Sequence, residues 1–62
     1  MSDEKRLLIN AFEFIMANYK SSDFDKKLEM SDDVMMICRE LDEFDAELSS
    51  EMEARFRRMA NV

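Results

Sequence analysis

Residues 31–59 read SDDVMMICRELDEFDAELSSEMEARFRRM and form the longest helical pattern of the chain, with no Gly or Pro to interrupt it. Ser31 is a good N-cap, because its hydroxyl oxygen can accept a hydrogen bond from a first-turn backbone N–H. Asp32 and Asp33 then place negative charge at the positive end of the helix dipole, and three arginines occupy the opposite end. Apolar residues recur at steps of three and four, which predicts one helix over residues 32–59. These residues are Ile37, Leu41, Phe44, Leu48, Met52, Phe56 and Met59.

A first helix is predicted over residues 3–20. Ser2 can cap it, acidic residues occupy its first turn, and apolar residues again follow a helical spacing at Leu8, Phe12, Ile15 and Tyr19. The pattern weakens over residues 21–30, where two serines and an aspartate are typical of a turn. We expect this segment to be the connector, and the pattern leaves open whether residues 22–29 form a short helix.

The chain has 62 residues, enough for one small domain, and its composition favours an all-α protein. A short connector predicts an antiparallel two-helix hairpin. The second helix would be the longer one, so Met52, Phe56 and Met59 would extend beyond the first with their side chains in water. We therefore expect a homodimer, in which two hairpins form a four-helix bundle.

Composition also restricts the classes of function. The net charge of −6 disfavours nucleic-acid binding, and it suits either a basic protein partner or simple solubility. A single cysteine is compatible with a reducing cytoplasm, where we expect the protein to be located. We expect no membrane contact, because no signal peptide and no apolar run of about 20 residues is present. The absence of histidine excludes nucleophile–histidine catalysis and histidine-ligated metal sites.

A strip of mixed character is predicted on the outer face of the second helix. Met35, Arg39, Asp42 and Ala46 follow one another at helical spacing and combine a flexible apolar side chain with opposite charges, as partner-binding surfaces often do. The plainer interpretation is that Arg39 and Glu43 form a solvated ion pair worth a few tenths of a kcal/mol.

Two further features of this helix have structural interpretations. Residues 40–53 contain seven acidic side chains and no basic one, which suits a solvated face or a basic partner better than a dedicated metal site. Cys38 lies at the edge of the inward stripe without a nearby base, so we interpret it as a small packing residue rather than a nucleophile.

Residues 34–42, VMMICRELD, resemble the signature of the small sporulation phosphatases, whose motif is S-Q-E-L-D within a V-L-x-L-S-Q-E-L-D run. Members of that family are helical hairpins that remove the phosphoryl group from the aspartyl-phosphate of a response regulator, and so repress sporulation in two-component signalling. The chain departs from the family at Cys38, where the family has Ser, and at Arg39, where it has Gln. Its connector is longer and lacks the customary Gly.

The resemblance implies a protein phosphatase in which Arg39, Glu40 and Asp42 act on the phosphorylated regulator. Contacts to the partner would come from Met35, Cys38, Glu43 and Ala46. The regulator would supply Mg²⁺, and the chain alone would bind no metal. Arg39 can contact phosphoryl oxygens but cannot accept a hydrogen bond as Gln does. The alternative is an acidic helical adaptor or inhibitor that binds a regulatory protein without catalysis.

Overall fold

The computed structural model describes residues 3–61, which form three α-helices and no strand. The helices are α1 (Asp3–Asn18), α2 (Phe24–Leu41) and α3 (Ala46–Ala60). The prediction of an all-α protein is confirmed. The predicted two-helix hairpin differs from the structure, because a third helix is present and both predicted helix boundaries around the connector are shifted.

Helix α2 begins well before the predicted start. The Asp23 carboxylate accepts a hydrogen bond of 2.8 Å from the Lys26 backbone N–H, which makes Asp23 the N-cap. Most of the predicted connector is therefore the first two turns of α2. The predicted N-cap at Ser31 is wrong, because Ser31 lies inside the helix and its hydroxyl donates to the Lys27 carbonyl. The predicted cap at Ser2 lies outside the described residues.

The helix predicted over residues 32–59 is divided by a turn that follows Leu41. The Leu41 carbonyl accepts hydrogen bonds from the N–H groups of Phe44 and Asp45, at 2.9 and 2.8 Å. The Asp45 side chain then accepts from the Leu48 N–H at 3.1 Å and so caps α3. No residue in the described range has a positive φ. Neither turn therefore uses the left-handed backbone conformation, which is the conformation that favours glycine.

Contacts between helix ends define how the bundle is arranged. Lys5, near the start of α1, forms a 3.3 Å ion pair with Asp45, at the start of α3. Tyr19, just after α1, stacks edge to face on Phe56, near the end of α3, with ring centroids 5.1 Å apart. Helices α1 and α3 therefore run in the same direction, and α2 lies antiparallel to both. The result is an up-down-up three-helix bundle.

The core is formed mainly by α2, which packs against both other helices. Phe12 and Leu41 are completely buried. Within the described part of the chain, the buried apolar residues are Phe12, Ile15, Val34, Ile37, Cys38, Leu41 and Met52. Half-buried side chains surround this core, and the inward stripe predicted from the sequence is largely confirmed. Phe44 is the exception, since it lies in the turn between α2 and α3 and is 42 % exposed.

The turn after Leu41 also removes the uncovered end predicted for the long helix. At ~1.5 Å per residue, α1, α2 and α3 are roughly 24, 27 and 22 Å long, so the three helices match. Met52 is only 3 % exposed and Phe56 is half-buried. Complete burial of such a side chain contributes about 1.5–3 kcal/mol, which favours folding back over one continuous helix. The argument for a dimeric four-helix bundle, which rested on that uncovered end, therefore no longer applies.

Candidate functional site

Two of the three predicted catalytic residues lie together. Arg39, in the last turn of α2, and Asp42, directly after that helix, are both exposed and line the open groove between α2 and α3. Glu40 lies elsewhere. It follows Asp33 and Met36 by seven and four residues, and those two residues line the opposite groove, between α1 and α2. The structure therefore brings Arg39 and Asp42 together and separates both from Glu40.

The four predicted partner-binding residues are also divided. Met35 lines the α2–α3 groove and is 65 % exposed, and Cys38 lies at the bottom of the same groove. Glu43 and Ala46 are exposed but do not line it. The predicted strip ends at Asp42, because the helix does not continue to Ala46.

Helix α3 supplies the second wall of this groove, which has a volume of about 480 Å³. Phe56 adds an apolar surface opposite Val34 and Met35. Glu53 and Arg57 line the same wall and form an ion pair of 2.6 Å with each other. The groove therefore combines apolar side chains with charged ones. The α2 wall and the α3 wall each carry one basic and one acidic residue.

The bottom of the groove is fixed by a buried contact between the two helices. The Ser49 hydroxyl donates a 2.7 Å hydrogen bond to the Cys38 carbonyl. Burial raises the pKa of the Cys38 thiol, the nearby Glu53 carboxylate raises it further, and a hydrogen bond with Ser49 opposes both. A buried thiol with a raised pKa is a poor nucleophile. The interpretation of Cys38 as a packing residue is confirmed by its place in the core.

Arg39 has no side-chain partner within residues 3–61. The predicted ion pair with Glu43 is absent there, because Glu43 lies in the turn, where its N–H donates to the Glu40 carbonyl at 3.2 Å. The Arg39 guanidinium is therefore available to a partner that carries a carboxylate or phosphoryl oxygen.

The groove presents both hydrogen-bond donors and acceptors, and its chemistry for catalysis is limited. Arginine only donates hydrogen bonds, so Arg39 cannot hold a water molecule by accepting its proton. Asp42 and Glu53 can accept, but both carboxylates repel a phosphoryl group. No group of three potential metal-binding side chains converges within residues 3–61. None of the three helices is both long and apolar enough to cross a membrane.

The α3 wall of the groove was not predicted from the sequence. Glu53, Phe56 and Arg57 lie more than ten positions after the motif and reach it only because the chain reverses after Leu41. The available signal was Asp45, a residue type common at N-caps, followed by the acidic first-turn residue Glu47.

Comparison with protein families, with curated proteins and with solved structures finds no match to this chain. The likeness of residues 34–42 to the sporulation phosphatases therefore rests on the motif itself. Three of the five motif residues, Cys38, Arg39 and Asp42, line the α2–α3 groove.

Proposed function

We propose that this protein is a small helical binding module that holds a segment of a regulatory protein in the α2–α3 groove without catalysing a reaction. One observation carries the proposal. Met35 and Arg39, both exposed in the second half of α2, line one open groove together with the α3 side chains of Phe56 and Glu53. We further propose that the protein acts in the cytoplasm, where the unpaired Cys38 would stay reduced.

The groove suits a segment that offers an apolar side chain between an acidic and a basic group. The apolar side chain would contact Met35 and Phe56, and flexible methionines adapt to different shapes. An acidic group would pair with Arg39, and a basic group would contact Asp42. Such charge pairs orient a partner and select against the wrong one more than they add affinity.

The second candidate is the phosphatase that the motif implies, and the exposed guanidinium of Arg39 beside Asp42 favours it. In that reaction water attacks phosphorus, the bond from phosphorus to the aspartyl oxygen breaks, and inorganic phosphate and a free carboxylate result. The regulator would hold the Mg²⁺. Arg39 would contact phosphoryl oxygens, while a group from the regulator would have to position the water.

One titration separates the two candidates. Phosphorylated response regulator that governs sporulation is mixed with Mg²⁺ and with this protein at one-hundredth and at equal concentration. A binding module leaves the rate of loss of the phosphoryl group unchanged at one-hundredth concentration, and at equal concentration it slows that loss or leaves it unchanged. Multiple turnovers at one-hundredth concentration would support the phosphatase and contradict the module. Calorimetry on the same pair that detects no complex would exclude this regulator as the partner.

Two variants test the groove itself. Met35→Ala should weaken the complex, because it removes an exposed apolar contact surface. Glu40→Gln is the control, since Glu40 lies on the opposite side of α2. The affinity for a partner bound in the α2–α3 groove should not change in this variant. Under the phosphatase candidate the control instead loses activity, because Glu40 belongs to the motif.

A further inference from the structure

A second exposed apolar surface lies on the other side of the bundle. Leu7, Ala11 and Phe14 form one stripe along α1, at spacings of four and three residues. Leu7 and Phe14 are each 65 % exposed. Met36 of α2, 59 % exposed, lines the same groove as Ala11 and Phe14. We name this surface, formed by Leu7, Ala11, Phe14 and Met36, the α1–α2 face.

Carboxylates border this face along α2. Glu29 and Asp33 line the groove, and Glu40 continues the same row seven residues after Asp33. The row contains one cation, Lys26, which forms an ion pair of 3.9 Å with Glu29. Asp33 and Glu40 have no side-chain partner within residues 3–61. The face is therefore an apolar stripe beside an acidic edge whose charge is largely unneutralised.

The charges identify the occupant that such a face would take. A second copy of the chain carries the same net charge of −6, so docking two copies by this face would bring two like-charged surfaces together. Two of the three arginines of α3 are already paired within the chain, Arg55 with Glu13 at 2.9 Å and Arg57 with Glu53, so only Arg58 could meet the acidic row of a second copy from α3. A basic partner meets no such repulsion and gains from the overall charge of −6.

Geometry restricts the shape of that partner. Leu7 and Phe14 are seven residues apart, about 10.5 Å along α1 at 1.5 Å per residue. An amphipathic helix with apolar residues at positions i, i+4 and i+7 presents a stripe of the same length, and this is a common way for a helix to bind a groove. Lysines or arginines beside that stripe would lie next to Asp33 and Glu40.

We propose that the α1–α2 face is a docking site for a basic amphipathic helix of another protein. This site is separate from the α2–α3 groove, so it does not depend on the proposed function. With both sites occupied, the module would hold two partners on opposite sides of α2.

The test uses the full chain, labelled with ¹⁵N, and two designed helical peptides. Both peptides carry leucines at i, i+4, i+7 and i+11, and they differ only in having lysine or glutamate beside the leucines. The lysine peptide should shift the amide resonances of Leu7, Phe14 and Met36, and its affinity should fall several-fold between about 50 mM and about 300 mM NaCl as charges are screened. The glutamate peptide should not bind.

Two neighbouring methionines provide a matched pair of variants. Met36→Ala should weaken binding of the lysine peptide at least about fivefold, a loss of about 1 kcal/mol. Met35→Ala removes the same atoms from a similarly exposed position on the opposite groove, and it should leave the affinity unchanged. Circular dichroism of both variants checks that each keeps its helices.

Three results would overturn the proposal. One is equal weakening by the two methionine variants, and another is equal affinity for the lysine and glutamate peptides. The third is a concentration-dependent shift of Leu7, Phe14 and Met36 resonances without peptide, which would show that a second copy of the chain occupies the face.

Discussion

The Ser49 hydroxyl donates a buried hydrogen bond of 2.7 Å to the main-chain carbonyl of Cys38. The two residues lie on either side of the turn after Leu41, so this bond joins the end of α2 to the start of α3. The same carbonyl also accepts from the Asp42 N–H at 2.9 Å. One carbonyl thus ends a helix and fixes the helix that returns beside it, and this arrangement builds the α2–α3 groove.

Ser49→Ala should lower the free energy of unfolding by about 1 kcal/mol, the usual net contribution of one hydrogen bond. The loss stays moderate because the Cys38 carbonyl keeps its bond from Asp42. Urea unfolding followed by circular dichroism measures the change. Ser50→Ala is the control, since Ser50 is exposed and should change stability by less than about 0.5 kcal/mol. An equal loss in both variants would show that the buried bond does not stabilise the turn.

Leu41→Ala should lower the free energy of unfolding by about 2–5 kcal/mol, because Leu41 is completely buried and the change leaves a cavity. A domain of this size has little stability to lose, so the variant should lose most of its helical signal at 37 °C. Glu43→Ala, at an exposed position in the turn, should melt like the parent. Equal melting temperatures would contradict the assignment of Leu41 to the core.

The helical class and most of the core could be predicted from the sequence, because spacing reports which residues share a face. Leu41 and Ile37 are predicted to face inward and are buried, whereas Met52, whose side chain is predicted to extend into water, is buried as well. The turn after Leu41 could not be predicted in this way. The apolar spacing continues from Leu41 to Leu48 and Met52 whether the helix is continuous or folds back, so only packing against α1 decides between the two.

The helix starts could not be predicted either, because several residues of the chain are suitable N-caps. Ser31, Asp23 and Asp45 are all suitable N-caps, and sequence alone does not rank them. The structure uses Asp23 and Asp45, which begin α2 and α3 so that three helices of similar length cover one core. The candidate site was predicted in part for the same reason. Arg39 and Asp42 are local to one helix end, whereas their neighbours on α3 depend on the chain reversal.

Asp45 should make the stability depend on pH in the acid range. Two hydrogen bonds hold the pKa of the Asp45 carboxyl below its usual value. The larger effect comes from the Leu48 N–H, and the next comes from the Lys5 side chain. A lowered pKa stabilises the fold above the usual value, and this stabilisation is lost as the pH falls through the lowered pKa. Asp45→Ser keeps a capping oxygen but does not titrate.

Melting temperatures of the parent and of Asp45→Ser should therefore be compared between about pH 5 and about pH 2. The parent should lose its advantage over the variant across this range, while both share the effect of the other carboxylates. A constant difference between the two curves would show that Asp45 does not titrate with folding.

Cys38 should react slowly with iodoacetamide at about pH 8. The residue is only 7 % exposed and burial raises the pKa of its thiol, so both access to the thiol and its thiolate content are reduced. We expect a rate at least about tenfold below that of an unstructured cysteine peptide, measured by mass spectrometry. Leu41→Ala should accelerate the reaction by loosening the adjacent core, whereas Glu43→Ala should not. A parent rate equal to that of the peptide would place the thiol on the surface.

Arg39→Gln distinguishes the binding module from the phosphatase by the sign of its effect. The change removes a positive charge and supplies the amide that the sporulation phosphatases carry at this position. A module that pairs Arg39 with an acidic group of its partner should bind at least about threefold more weakly, which corresponds to roughly 0.7 kcal/mol. A phosphatase should keep or increase its rate, because an amide can accept a hydrogen bond from the attacking water and arginine cannot.

Asp42→Ala completes this comparison, because Asp42 is exposed and lies beside Arg39 in the groove. Its effect on the free energy of unfolding should stay within about 0.5 kcal/mol, as for other surface positions. In the phosphatase it should reduce dephosphorylation of the regulator at least about tenfold, or roughly 1.4 kcal/mol of transition-state stabilisation. If the protein is a binding module, Asp42→Ala should weaken the complex, and neither the parent nor the variant should show turnover. A parent that dephosphorylates the regulator catalytically, and loses this activity in Asp42→Ala but not in Arg39→Gln, would decide for the phosphatase.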